Sequence, residues 1–298
     1  MRIAGALTAG ALVAGMIVAG AVTAPAARAA AGETRTAHSA QAPVGVWSRF
    51  AELANATTGA NLWSRSSVLE RPMGSVTKVM TAYVVLTAPG FNLNRQITVP
   101  DGIVAYDEKY DASTAGLRPG EQLSTGQLLY AMMLPSGCDA AYTLADAYGP
   151  GLTAFIERMN ATARELGLAK THFSDFSGLP DPGEYTTYST AHDLVALGRD
   201  AMKIKTFATI VATREYKVAA TGAHRAHTWK NLNPLLREFP GAIGIKTGFT
   251  RAAGQCLLFE ARRGGATLIG VGLDSSGAES SGTDVSDAAA MLDWGFGD

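Results

Sequence analysis

Residues Ala242–Leu273 read AIGIKTGFTRAAGQCLLFEARRGGATLIGVGL. Three runs within them, Ala242–Lys246, Gln255–Ala261 and Thr267–Leu273, have strand length and are rich in Ile, Leu, Val and Phe. Arg262-Arg263-Gly264-Gly265 separates the last two, and paired glycines accept the positive φ of a tight hairpin. The stretch therefore predicts consecutive antiparallel strands. At the other end, Val44–Ala54 and Ala60–Trp63 are also strand-like, parted by Asn55-Ala56-Thr57-Thr58-Gly59, a hairpin-turn composition. Asp284–Trp294 carries Val285, Ala288, Ala289, Met291 and Leu292 at helical spacing.

The middle reads as helix. Val79–Leu86 is an uninterrupted apolar stretch apart from Thr81. Ser124-Thr125-Gly126-Gln127 fits a capping box ahead of Leu128, Leu129, Met132 and Met133, and Pro135 ends that helix. Cys138–Tyr148 and Leu152–Leu166 follow, the second stopped by Gly167, and another runs from Thr190 to about Met202. Strands from both ends thus frame a helical insert over about residues 79–240. The expected fold is α+β: an antiparallel five-stranded sheet flanked by helices, with a helical subdomain alongside and a cleft between them.

The 298 residues are 47% hydrophobic and 17% charged, with a net charge of -1. That excludes a disordered chain, and the lack of basic excess argues against nucleic acid as a partner. Two cysteines are too few for a disulfide scaffold. No repeat appears. Met1-Arg2, the uncharged apolar segment Ile3–Thr23 and the small residues Ala24–Ala31 predict a secretory signal peptide over 1–31, cut after Ala29 or Ala31. An uncleaved anchor is the alternative. Residues 32–43 read as a mobile polar tail, and 44–298 as the folded domain, either secreted or held at the extracytoplasmic face of the membrane or in the wall. With Asp298 directly after the last helix, no C-terminal membrane anchor is expected.

Three short motifs carry nucleophile and anion chemistry. In Ser75-Val76-Thr77-Lys78 the serine opens a helix and the lysine lies one turn on, on the same face, where an amine can take a hydroxyl proton. Ser136-Gly137-Cys138 follows Pro135 on an interhelical turn that presents a hydroxyl. Lys246-Thr247-Gly248 ends a strand and offers a cation, a hydroxyl and close backbone approach to a carboxylate. Each alone also reads as ordinary structure: a capped helix with a solvated lysine, an N-cap serine, a strand end with a turn glycine.

Their order and surroundings, together, resemble the low-molecular-mass penicillin-binding proteins, the active-site-serine D-alanyl-D-alanine carboxypeptidases and their actinomycete transpeptidase relatives. The resemblance covers Pro72–Ala82, Met133–Ala141, Thr171-His172-Phe173, Ser177-Gly178-Leu179, Tyr188–Leu194 and Gly244–Thr250 with Ala253-Gly254, within about Val44–Phe296. It implies a transpeptidase-like fold and a peptidoglycan stem peptide ending in D-Ala-D-Ala as substrate. Ser75 would be the nucleophile, Lys78 the general base and Ser136 a proton relay. Lys246 and Thr247 would hold the terminal carboxylate beside Gly248, and the backbone N–H groups of Ser75 and Phe249 would form the oxyanion hole. β-Lactams would acylate the same serine. The family's second motif usually ends in Asn; here it ends in Cys138, whose thiol is a poorer hydrogen-bonding group, so contacts to substrate and base should weaken. A non-catalytic penicillin-binding sensor and a class A-like β-lactamase, faintly suggested by Glu157-Arg158-Met159-Asn160, stand as alternatives.

No cofactor and no metal are expected: His224 and His227 lack a third ligand nearby in sequence. A Ser-His-Asp triad through His172 or His192 lacks a Gly-x-Ser-x-Gly elbow. Cys256 reads as core, with no disulfide to Cys138.

Overall fold

A five-stranded antiparallel sheet is assembled from the two ends of the chain, as the sequence predicts. The computed structural model describes residues 42–275 and 283–297. The signal peptide read over 1–31 and most of the tail read over 32–43 lie outside the described residues.

In chain order the strands are β1 (Phe50–Asn55), β2 (Asn61–Arg65), β3 (Gln96–Thr98), β4 (Gln122–Ser124), β5 (Glu215–Val218), β6 (His227–Lys230), β7 (Ala242–Thr250), β8 (Gly254–Arg263) and β9 (Ala266–Leu273). The helices are α1 (Lys78–Leu86), α2 (Gly102–Tyr110), α3 (Thr125–Met133), α4 (Cys138–Tyr148), α5 (Leu152–Glu165), α6 (Ala191–Met202), α7 (Lys205–Ala212), α8 (Leu235–Glu238) and α9 (Thr283–Phe296). The sheet order is β2-β1-β9-β8-β7, which leaves β7 at an edge.

Both faces of the sheet are covered, and the period of two sorts the side chains between them. Leu257, Phe259 and Ala261 of β8 face α9 with Leu53, Met291 and Leu292, whereas Cys256 and Leu258 face the helical core with Ile269 and Val271 of β9. Gly270 and Gly272 alternate with those β9 residues for a steric reason. A Cβ on Gly270 would meet the Phe259 ring at 2.5 Å, and one on Gly272 would collide with the Ser48 side chain. Full burial of a side chain such as Phe259 stabilises the fold by about 1.5–3 kcal/mol.

Two strand readings shift. Val44–Arg49 is not strand: Asp287 of α9 accepts from Trp47 N at 2.7 Å and from Ser48 N at 2.6 Å, so a carboxylate, not a neighbouring strand, holds that backbone. The run beginning at Ala242 continues to Thr250, because β8 supplies partners as far as Gly254. Lys246-Thr247-Gly248 therefore lies within a strand rather than at its end.

The insert contains the predicted helices and two two-stranded antiparallel sheets, β3–β4 and β5–β6, whose strands are too short to give a period-two signal. α1 runs through its centre. Of its residues only Tyr83 is not buried, which fits a helix with no charge from Val79 to Leu86. The capping box of α3 is complete: Ser124 Oγ accepts from Gln127 N and Gln127 Oε1 from Ser124 N.

Candidate active site

Ser75 lies in a single 3-10 turn, Gly74–Thr77, that leads straight into α1. Lys78, the first residue of α1, comes back over that turn. Its Nζ stands 2.8 Å from Ser75 Oγ and donates to the Ser177 carbonyl at 3.0 Å and toward Cys138 Sγ at 3.3 Å. Lys78 is fully buried, so it is not the solvated lysine of an ordinary capped helix.

Two glycines bring the Ser75 turn and β7 together. Gly74 has φ +52°, and a Cβ on it would lie 2.8 Å from Phe249 N. A Cβ on Gly248 would lie 2.5 Å from Met73 O and 3.1 Å from Ser75 N. The backbones of residues 73–76 and 248–249 thus touch where no side chain fits, and the amides of Ser75 and Phe249 share one corner.

Behind this corner Lys246 is 2% exposed, with Nζ donating to Thr247 O at 3.0 Å. Burial and the neighbouring Lys78 push its pKa down to about 7. Ser136 occupies the turn between α3 and α4 with φ +66°, a left-handed conformation costing a non-glycine residue roughly 1 kcal/mol. Its carbonyl accepts from Ser113 Oγ at 2.8 Å, and Cys138 N donates to Ser113 O at 2.8 Å. Asp139, in the first turn of α4, accepts from Ala115 N and Leu117 N at 2.9 Å each and so pins the 113–117 segment. Burial pushes the Asp139 carboxyl above its ordinary range, against the pull of those amides.

A cleft of about 1070 Å³ opens over these groups. Ser75, Ser136, Thr247, Gly248 and Phe249 line it; Lys78, Cys138 and Lys246 are buried. Sequence reasoning missed the Ser177 carbonyl, Ser113 and Asp139. Ser177-Gly178-Leu179 stood out as a motif, but nothing in it indicates that a backbone carbonyl meets the lysine. The acid at the start of α4 was the one local signal for Asp139.

Other groups stay apart from the cleft. His192 pairs with Glu52 at 3.1 Å, and His172 N bonds the Tyr188 backbone. His227 meets Glu121 at 3.3 Å, and no metal-ligating cluster occurs among the described residues. Both cysteines are free, and burial pushes the Cys256 thiol up to about 12.

Residues 36–277 match the family Peptidase S11, D-alanyl-D-alanine carboxypeptidase. A D-alanyl-D-alanine carboxypeptidase of Streptomyces sp. (strain K15) is 42% identical over 252 residues, covering 81% of this chain and 84% of that one. The D-alanyl-D-alanine carboxypeptidase DacB2 of Mycobacterium tuberculosis is 35% identical, covering 82% and 80%. The crystal structure of the Streptomyces K15 DD-transpeptidase superposes with a TM-score of 0.79 at 41% identity, covering 84% of this chain and 97% of that one.

Proposed function

The chain belongs to the Peptidase S11 family of D-alanyl-D-alanine carboxypeptidases and is an enzyme of that class, and we propose that it cleaves peptidoglycan stem peptides through an acyl-enzyme on Ser75. The observation that carries this reading is the 2.8 Å contact between Lys78 Nζ and Ser75 Oγ, made by a fully buried lysine under an open cleft.

In this mechanism neutral Lys78 takes the Ser75 proton as Oγ attacks the carbonyl carbon of the penultimate D-Ala. The amides of Ser75 and Phe249 receive the developing oxyanion. The C–N bond breaks, the proton passes to the leaving amine with Ser136 as relay, and the terminal D-Ala departs. Water or an amine then takes the acyl group, giving hydrolysis or cross-linking. β7 supports substrate positioning, because it is the sheet edge beside the cleft, where an extended peptide can add as a further strand. β-Lactams fit the same chemistry as acylating inhibitors. A stem-peptide substrate calls for secretion or an extracytoplasmic location.

Lys246 and Thr247 would hold the terminal carboxylate. With a pKa of about 7, Lys246 is charged below that pH and neutral above it. The KM for an acyl-D-Ala-D-Ala peptide is therefore expected to rise above pH 7, approaching tenfold per unit. Arg stays charged throughout, so in Lys246→Arg that limb should flatten whatever the absolute KM. A KM independent of pH from 6 to 9 in the parent would contradict the assignment.

The experiment for the function is release of D-Ala from diacetyl-L-Lys-D-Ala-D-Ala, with and without an acceptor amine. Turnover is expected. Stoichiometric β-lactam labelling without turnover would support a sensor instead, and rapid β-lactam hydrolysis a β-lactamase. In the same assay Cys138→Asn is expected to speed hydrolysis, since an amide replaces a weakly accepting thiol near Lys78 Nζ. A net hydrogen bond of ~1 kcal/mol corresponds to about fivefold in rate. Unchanged deacylation would remove Cys138 from the account.

A further inference from the structure

We infer that Asp175 is a positioning residue for Lys78, acting through the backbone carbonyl of Ser177. The inference rests on the reading of Lys78 as the base that activates Ser75.

Asp175 is 2% exposed, and both its oxygens are engaged. Oδ1 accepts from Ser177 N at 2.7 Å, Ser177 Oγ at 2.8 Å, Gly178 N at 2.6 Å and Leu179 N at 3.0 Å. Oδ2 accepts from the Tyr106 hydroxyl at 2.5 Å, and that hydroxyl also lies 2.7 Å from Ser177 Oγ. A single carboxylate oxygen thus gathers the amides of three consecutive residues. Such convergence folds the segment into a tight turn around the charge and fixes the carbonyls on its outer side.

Two of those carbonyls face one side of α1. Phe176 O accepts from Thr81 Oγ1 at 2.5 Å, and Ser177 O accepts from Lys78 Nζ at 3.0 Å. Residues three apart share a helix face, so the turn reads α1 at adjacent rungs. Gly178, with φ +88°, packs the same turn against the nucleophile. A Cβ there would collide with Gly74 O and lie 2.7 Å from Thr77 Oγ1. Leu179 then lines the cleft. The carboxylate is therefore a common anchor for the acceptor of the lysine and for the backbone behind Ser75. Burial, and the Asp175 charge beside it, raise the Tyr106 pKa, which keeps its hydroxyl a donor to Oδ2.

The lysine can rotate about its whole stem, so its Nζ needs an acceptor besides Ser75 Oγ to stay aimed. A misplacement of about 1 Å at a reacting group costs on the order of 10²-fold in rate. The test is saturation kinetics of benzylpenicillin acylation on the full chain, with the active fraction counted by end-point labelling. In Asp175→Ala the acylation rate constant per active site is expected to fall about 10²-fold, with the dissociation constant of the non-covalent complex unchanged. Asp175→Asn keeps an acceptor oxygen for the three amides and is expected to recover most of that loss. Tyr106→Phe should slow acylation in the same direction, by less.

A merely structural role would lower the melting midpoint or the active fraction and leave the rate constant per active site at the parental value. That result overturns the proposal. If Asp175→Ala does not fold, Tyr106→Phe decides: a slower rate constant supports the assignment, and the parental value overturns it. Lys78→Met serves as control. If it acylates at the parental rate, the reading of Lys78 fails. If it is slow while Asp175→Ala is not, only the positioning role fails.

Discussion

Ser75→Ala is expected to form no covalent adduct with benzylpenicillin and to release no D-Ala above background. The substitution removes one oxygen from a turn whose backbone is set by Gly74 and by its packing against β7, so the fold and melting midpoint should stay near the parent's. Loss of the nucleophile of a serine peptidase costs on the order of 10⁶ in turnover. Lys78 Nζ would keep the Ser177 carbonyl and Cys138 Sγ as partners, so the buried amine is not left without a hydrogen bond. The checks are intact-mass analysis after penicillin treatment and the D-Ala assay. Persistent labelling would place the nucleophile elsewhere.

Lys78→Met carries the next largest effect. Methionine has nearly the same length and is apolar, so it fills a fully buried site without a charge. It removes the amine 2.8 Å from Ser75 Oγ. General-base removal is worth about 10²–10⁴-fold, and acylation should slow toward the upper end of that range because, among the described residues, no second base is hydrogen-bonded to Ser75. Stability should change less. The Ser177 carbonyl loses its donor, at about 1–3 kcal/mol, while the cost of burying a polar amine is relieved. Stopped-flow acylation and thermal melting separate the two. An unchanged acylation rate constant would return Lys78 to a structural role.

Much of this was legible in the sequence, for identifiable reasons. The sheet could be read because Gln255–Ala261 and Thr267–Leu273 are apolar, of strand length and joined by Gly264-Gly265. The Val44–Arg49 segment was misread because its apolar composition resembles a strand, whereas Val44 and Trp47 are exposed, only Val46 joins the core, and Asp287, far along the chain, takes its amides. The side chains proposed as catalytic stood out because two of them, Ser75 and Lys78, lie one helical turn apart and the rest sit in short motifs. What could not be read was backbone. The Ser177 carbonyl reaches Lys78 across 99 residues of sequence, and the approach of Gly74 to Phe249 joins the two ends of the domain. A carbonyl or an amide has no residue type to betray it, and the glycines that permit the contact look like any others. Asp175 and Asp139 are common residue types whose roles appear only once the loops they hold are in place.

The central claim is that the reaction passes through an ester on Ser75. The direct measurement is to incubate the parent chain with benzylpenicillin, quench in acid, digest and locate the added mass by tandem mass spectrometry. The account predicts one penicilloyl group per chain, on Ser75 and absent from the Ser75→Ala chain. An adduct on Ser136 or Cys138, or none in a chain that still releases D-Ala, would contradict it.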